Sequence, residues 1–224
     1  MSRYIFVILM DIPVEHEDDF NRIYDTDHLT HMMQVEGNLR CDRYRLEWSD
    51  NADMQKYLAI YEITDPELPR SPAWKAQSEL GEWAGRMRNL VQNRRNGVFR
   101  EIAEHKAPGV DPQAEPVRDI VYFLQQAIPA ELEDRFNLLY DTDHIPLMLQ
   151  TPGARDCRRF RLEWSGTGNV PDYLAIYGID APLLPRSDAW KAQTDKGRWP
   201  IEMRPNFTVR RNGGYSRIAE HGPA

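Results

Sequence analysis

The pentapeptide Tyr24-Asp25-Thr26-Asp27-His28 occurs twice in this chain. It returns as Tyr140-Asp141-Thr142-Asp143-His144, at an offset of 116 residues that holds without a gap as far as the pair His105 and His221. About half of the aligned positions are identical between the two copies. The period is far longer than the unit of a solenoid, so each copy is large enough to form a small domain or half of one.

The composition between the copies predicts a linker. Residues 106–118 (KAPGVDPQAEPVR) contain three prolines in a polar stretch. We therefore predict a first repeat over residues 1–105, a linker over 106–118 and a second repeat over 119–224.

Each copy has the pattern of a β-α-β-β-α-β unit. In the first copy, apolar runs and alternating polarity predict strands over residues 4–12, 40–48, 57–63 and 94–104. Acidic residues after Pro13 and the pair Ser71-Pro72 are typical of helix N-termini. This order is that of the ferredoxin-like unit, whose sheet has one face without helices. Since a sheet must cover its apolar side, we predict an α+β fold in which the copies pack face to face as a pseudo-twofold barrel.

The overall composition is that of a soluble globular protein. Of 224 residues, 41% are hydrophobic and 28% are charged, and the net charge of −7 argues against a nucleic-acid partner. No apolar run approaches the roughly 20 residues of a membrane span, and the first residues lack the cleavage site of a signal peptide. Cys41 and Cys157 are copies of one position, which favours reduced thiols in a cytoplasmic protein. We expect either a monomer, as a fused pseudo-dimer, or a further homodimer.

Pro146 lies just after the second pentapeptide and predicts a break in the first helix of that copy. A proline inside a helix clashes with the carbonyl four residues back, here that of Thr142, and removes one hydrogen bond. In the first copy Thr30 takes the place of this proline, so the same geometry is not forced there.

The pentapeptide and its surroundings resemble the EthD-like families of the dimeric α+β barrel superfamily. The resemblance is carried by Phe20 and Phe136, the acid-His pairs, Pro146, and a glycine before the second strand (Gly37 and Gly153). It implies a barrel that most members build by homodimerisation. Members of the superfamily include cofactor-free monooxygenases, lyases, isomerases, polyketide cyclases and haem-degrading enzymes, so the resemblance implies a fold more firmly than a reaction.

Three interpretations of the acid-His pairs remain open from the sequence. His28 and His144 are candidate general acid-bases, with a neighbouring carboxylate, either Asp27 and Asp143 or Asp25 and Asp141, orienting each ring and raising its pKa. Alternatively, the acids and histidines cap the broken helix and have a purely structural role. A metal site is the third interpretation, but no other ligand motif accompanies the cluster.

Further retained residues are candidates for substrate binding. Tyrosine hydroxyls can reach a ligand, tryptophans can form the walls of an aromatic pocket, and arginines can hold an anion if their strand face lines the barrel interior. For each class, packing or ion pairing between the copies is the alternative role. The candidates are Tyr24, Tyr140, Tyr61, Tyr177, Trp74, Trp190, Arg45 and Arg161.

We therefore expect an enzyme that acts on a small aromatic or polyketide-like molecule by acid-base chemistry. Lyase, isomerase or cyclase action fits best, with no metal or organic cofactor. A non-catalytic binding protein is the alternative from another class, and a cofactor-free or haem-related monooxygenase is the alternative among enzymes. Because Glu62 and Val98 correspond to Gly178 and Gly214, we also expect the second copy to have the roomier cavity.

Overall fold

Eight antiparallel strands close into a single barrel in the computed structural model, which describes residues 3–222. The order around the barrel is β1-β3-β2-β8-β5-β7-β6-β4. The strands are β1 (Tyr4–Asp11), β2 (Asn38–Ser49), β3 (Tyr57–Ile63), β4 (Gln92–Lys106), β5 (Ile120–Ala127), β6 (Ala154–Thr167), β7 (Tyr173–Ile179) and β8 (Val209–His221).

Short helices cover the outer face of each half of the barrel. They are α1 (Glu17–Ile23), α2 (Leu29–Met32), α3 (Pro72–Ser78), α4 (Glu133–Leu139), α5 (Ile145–Met148), α6 (Asp188–Thr194) and α7 (Trp199–Glu202). Turns of π-helix follow α1 (Tyr24–His28) and α4 (Tyr140–His144), and another (Trp83–Met87) follows α3.

The two repeats meet along two seams of strand pairing. The long strand β2 pairs with β8 of the other repeat, and β4 pairs with β6. These seams join two four-stranded sheets into one barrel, and the predicted face-to-face packing of two ferredoxin-like units is confirmed.

Apolar side chains fill both the barrel interior and the space beneath the helices. The interior contains Val7, Leu58, Phe99, Phe123 and Ile176, which alternate along their strands with residues that face the helices. A separate apolar cluster lies between sheet and helices in each repeat. The barrel interior is therefore a packed core.

Both cysteines are free, as predicted, and both are fully buried. Burial raises the pKa of the Cys41 and Cys157 thiols well above the ordinary value, so neither is a ready nucleophile. Within residues 3–222, no helix has the length and apolar character needed to cross a membrane.

Candidate active site

The repeated pentapeptide forms one wide helical turn in each copy. The backbone N–H of Leu29 donates to the carbonyl of Tyr24, five residues back, and Ile145 donates to Tyr140 in the same way. The predicted break of the helix is confirmed in the copy that contains Pro146, and it is equally present in the copy that lacks a proline. π-turns of this kind occur frequently at functional sites.

A buried arginine fixes each wide turn to the neighbouring strand. Arg43 on β2 donates to Asp25 at 2.6 Å and to the Asn21 side chain at 2.8 Å, and its guanidinium lies 4.3 Å from the centre of the Tyr24 ring. Arg159 repeats these contacts, with Asp141 at 2.7 Å. Each arginine is only 2% exposed, and a buried charge needs a partner. The first aspartate of the pentapeptide balances this charge.

Histidines from the opposite repeat contact the same two aspartates. The Nε2 atom of His105 lies 2.9 Å from Asp141, and that of His221 lies 3.5 Å from Asp25. Burial acts to raise the pKa of Asp141, but His105 and Arg159 together lower it. The wide turn of each repeat is therefore bound to the last strand of the other.

The second aspartate of the pentapeptide caps a helical segment further along the chain, which begins at Trp83 in the first repeat and at Trp199 in the second. It does not orient the histidine. Asp27 accepts a hydrogen bond from the backbone N–H of Trp83 at 3.0 Å, and Asp143 accepts two, from Arg198 at 2.9 Å and Trp199 at 3.0 Å. Gly81 permits this approach, because a Cβ there would lie 2.2 Å from an Asp27 oxygen. The hypothesis that Asp27 and Asp143 act with the histidines is therefore wrong in its geometry. The capping interpretation describes these two aspartates.

The histidines lie flat against tryptophans. The rings of His28 and Trp83 are stacked with centroids 4.6 Å apart, as are those of His144 and Trp199. Within residues 3–222, no side-chain hydrogen bond reaches either imidazole, and each ring contributes to the wall of a cavity.

Both imidazoles are neutral at physiological pH. Burial lowers the pKa of each to about 3, and nearby arginines, including Arg88 and Arg94 for His28, act in the same direction. The expectation that a neighbouring aspartate raises the histidine pKa is therefore wrong. Desolvation and positive charge dominate, and the carboxylates are occupied elsewhere.

The first repeat encloses a cavity of about 600 Å³ between the sheet and the helices. Four of the predicted site residues, His28, Tyr24, Tyr61 and Trp74, meet at its wall. The Tyr24 and Tyr61 hydroxyls lie 3.2 Å apart, and burial raises the pKa of both, so both remain protonated. Phe6, Trp83 and Trp164 complete the aromatic wall.

The charged groups around this cavity are mainly cationic. Arg70, Lys75, Arg88 and Arg94 line it with one acid, Glu79, which pairs with Arg88 at 2.8 Å. Within residues 3–222, Arg94 and Lys75 have no ion pair. The cavity is thus a basic, aromatic-walled site in a chain with a net charge of −7.

The second repeat encloses a cavity of only about 270 Å³. His144, Tyr177 and Trp190 line it, whereas Tyr140 packs behind the histidine with ring centroids 5.2 Å apart. The expectation that this cavity is the roomier is wrong. Phe207 occupies it where the first repeat has Val91.

The glycines of the second repeat make room for other parts of the protein. A Cβ on Gly178 would lie 2.7 Å from Val117 of the inter-repeat connection, and one on Gly214 would lie 2.2 Å from Trp48. The side-chain volume lost at these positions is therefore refilled by residues from outside the repeat unit.

The equivalent arginines differ in their partners. Arg210 in the second repeat donates to the hydroxyl of Tyr122 at 3.0 Å. The first repeat has Phe6 in the place of Tyr122, so Arg94 lacks this acceptor. The same cation is consequently bound internally in one cavity and available to a ligand in the other.

Arg45 and Arg161 lie away from both cavities. Neither arginine is among the residues that line the cavity of His28 or that of His144. Arg45 is exposed, and Arg161 pairs with Glu133 at 2.8 Å. They therefore do not join the other predicted site residues, and their role in substrate binding stays a prediction. Trp83 and Arg94 are the site residues that the motif alone did not identify, although both are retained in the two copies.

Solved structures with this architecture come from several kinds of protein. The chain is similar to an anthrone oxidase-like protein (TM-score 0.66, 11% identity, 100% of this chain and 94% of that one). It is also similar to a monooxygenase-like protein from Lactobacillus acidophilus NCFM (TM-score 0.57, 8% identity, 100% of this chain and 98% of that one). A third similar structure is chlorite dismutase from Candidatus Nitrospira defluvii in complex with imidazole (TM-score 0.59, 11% identity, 96% of this chain and 91% of that one). The fold is the dimeric α+β barrel. No protein-family model and no curated protein matches the sequence.

Proposed function

We propose that this protein is an enzyme that removes a proton from a small, enolisable aromatic ligand in the cavity of the first repeat. The observation that carries the proposal is the neutral imidazole of His28 at the wall of a cavity of about 600 Å³, beside Arg94 and Lys75. Among residues 3–222, the imidazole has no side-chain hydrogen-bond partner and the two cations have no ion pair. A cavity of this volume lies within the range of small-molecule sites.

The proposed ligand class follows from the chemistry of the wall. Phe6, Trp74 and Trp164 offer apolar faces to flat rings. Arg94 and Lys75 offer positive charge to an oxygen that is anionic or becomes so during reaction. A phenolic or polyketide-like aromatic ketone has both properties. The sequence resemblance to EthD-like proteins supports the same class.

Proton transfer within this cavity forms a pair of opposite charges and leaves the net charge unchanged. The neutral His28 imidazole takes a proton from carbon or from a hydroxyl, which leaves imidazolium beside an enolate. The enolate raises the pKa of the adjacent imidazole and so offsets the effect of burial and of the arginines. Arg94 stabilises the negative oxygen at the same moment. Isomerase, lyase and cyclase reactions all begin with such a step.

Oxygenation is a second outcome of the same step. The enolate of anthrone reacts with O₂ and with the proton that His28 returns from its imidazolium, which gives anthraquinone and water. One solved structure with a similar fold is named an anthrone oxidase-like protein. His28 is the base in either case, and the fate of the enolate depends on the substrate and on the presence of oxygen.

Hydrogen-deuterium exchange at the acidic carbon of an enolisable aromatic ketone tests the proposal. Anthrone is the first probe, in D₂O without oxygen, followed by NMR. We expect wild-type protein and the His144→Asn variant to accelerate exchange and the His28→Asn variant to lose the acceleration. Undiminished exchange by His28→Asn, or no acceleration by the wild type across a panel of such ketones, contradicts the proposal.

A haem-related role fits the site less well. An imidazole that binds a metal almost always donates its other ring N–H to a carboxylate, a carbonyl or water, which fixes the ring. Within residues 3–222, neither His28 nor His144 has a protein partner of this kind, since the neighbouring aspartates cap helices. For a metal ion held by side chains alone, which is a separate question from haem, the same residues contain no group of three or more acidic, histidine or cysteine side chains.

A non-catalytic binding protein is the second candidate function. It is favoured by the low pKa of His28, about 3, which makes the empty site a weak base. This candidate predicts that aromatic anions bind in the first cavity without any acceleration of exchange. Binding and exchange measured on the same ligand therefore separate the two functions.

A further inference from the structure

Each repeat receives a tryptophan from the other repeat across a barrel seam. Trp164 on β6 lies opposite Val98 on β4, and Trp48 on β2 lies opposite Gly214 on β8. The indole N–H of Trp164 donates to the carbonyl of Pro66 at 2.9 Å, and that of Trp48 donates to the equivalent carbonyl of Pro182. The two tryptophans are therefore related by the pseudo-twofold axis.

The two indoles lie at different depths. Trp48 is 8% exposed, belongs to the core of the second repeat and stacks on Tyr122 at an interplanar angle of 17°. Trp164 is only half-buried, is inclined at 39° to Phe6, and has the guanidinium of Arg70 3.7 Å from its ring centre.

The repeat that receives the less buried tryptophan has the larger cavity. In the first repeat, Trp164, Pro69 and Arg70 line one part of the cavity. The equivalent residues of the second repeat, Trp48 among them, do not line its smaller cavity. The part of the space that is open beside Trp164 is thus closed where Trp48 has moved inward.

The residue opposite each tryptophan explains the difference. A Cβ on Gly214 would lie 2.2 Å from Trp48 Nε1 and 2.6 Å from the Pro182 carbonyl oxygen, so the deep position of Trp48 requires glycine. Val98 is fully buried and has a branched side chain at the equivalent point. An indole at the same depth in the first repeat would overlap the Cβ of Val98.

We infer that the residue at position 98 and its counterpart 214 determine whether the ligand cavity of each repeat extends to the tryptophan at the seam. Val98 keeps Trp164 at the rim as a wall of the first cavity, whereas Gly214 admits Trp48 and closes part of the second. Val98 is thereby a specificity-determining residue that never needs to touch the ligand. Its meaning for ligand choice rests on the function proposed above, while the structural claim does not.

Crystal structures of ligand-free Val98→Gly and Val98→Ala proteins test this inference. We expect Trp164 to move inward in Val98→Gly and the first cavity to shrink towards the size of the second. Val98→Ala is the matched control, because it removes two methyl groups but keeps the Cβ that excludes the indole, so Trp164 should stay at the rim. An unmoved Trp164 in Val98→Gly, or the same movement in both variants, overturns the inference.

The reciprocal variant Gly214→Ala provides an independent test if Val98→Gly does not fold. The backbone of Gly214 lies in β8 and does not have a positive φ, so alanine is compatible with its conformation. We expect its Cβ to displace Trp48 and the second cavity to extend to residue 48. Retention of Trp48 in its deep position overturns the inference. Because neither structure requires activity, failure here is distinguishable from failure of the exchange assay.

Discussion

The imidazole of His28 lies against the indole of Trp83 with ring centroids 4.6 Å apart and an interplanar angle of 28°. The capping bond from the Trp83 backbone to Asp27, the neighbour of His28, maintains this arrangement. The wide turn Tyr24–His28 and the helical turn Trp83–Met87 therefore both fix the position of the candidate base. In the described part of the chain, residues 3–222, the imidazole accepts and donates no side-chain hydrogen bond, so His28 does not serve as a helix cap.

Acid should destabilise this protein through its two buried histidines. The pKa of each is about 3 in the folded state and about 6.5 in the unfolded chain, so the unfolded state binds more protons between these values. Stability is complete above pH 6.5 and falls as the pH drops towards 3. We expect each histidine to reduce the free energy of unfolding by about 2 kcal/mol between pH 7 and pH 5.

Urea unfolding at both pH values checks this expectation. The loss of stability between pH 7 and pH 5 should be about 2 kcal/mol smaller in His28→Asn and also in His144→Asn. An unchanged pH dependence in both variants would mean that the imidazoles are accessible to protons in the folded state.

The pH profile of turnover should lack the acid limb that is usual for a histidine base. The pH dependence of kcat/KM reports the free enzyme, in which the pKa of His28 is about 3. We expect kcat/KM to stay level from pH 7 to pH 5 wherever circular dichroism shows the protein folded. An inflection near pH 6.5 that disappears in His28→Asn would contradict the desolvated state described for this ring.

Arg94 should bind the anionic part of a ligand, whereas its counterpart Arg210 should not. A hydrogen bond to a charged group contributes about 1.5–3 kcal/mol, so Arg94→Gln should weaken binding roughly tenfold to a hundredfold. Fluorescence titration with 8-anilinonaphthalene-1-sulfonate, an aromatic anion, measures this change. Arg210→Gln is the matched control and should leave the affinity unchanged. Equal losses in both variants would show that the two cavities bind the anion alike.

Asp27 should contribute to stability through its cap. Asp27→Ala removes the acceptor for the Trp83 N–H and should cost about 1–2 kcal/mol, measured by urea unfolding. Asp27→Asn keeps an acceptor oxygen and should recover most of that loss. If Asp27→Asn lost exchange activity at full stability, the carboxylate would act in the chemistry after all.

The architecture was predictable because it depends on repeated local patterns. Strand β3 (Tyr57–Ile63) and the start of α3 at Pro72 agree with the sequence to the residue, since alternation and N-capping are local properties. Pro146 likewise predicted the broken helix.

The site was predictable only in part because its details depend on distant contacts. The position of His28, Tyr61 and Trp74 at one cavity followed from the retained residues. The bonding of Asp27 to a backbone 56 residues away, and the entry of Trp48 above Gly214, are tertiary events that no local pattern encodes. The replacement of Val98 by Gly214 predicted a larger second cavity, whereas the second cavity is the smaller one. The space beside Gly214 is filled by Trp48 from the other repeat.

The central claim is that the first-repeat cavity binds the substrate with His28 as its base. A crystal structure of the protein with an enolisable aromatic ketone bound tests it most directly. The account predicts one ligand per chain, in the first cavity, with its acidic atom within about 3 Å of a His28 ring nitrogen and its oxygen facing Arg94. A ligand bound only elsewhere, or equally in both repeats, would contradict it.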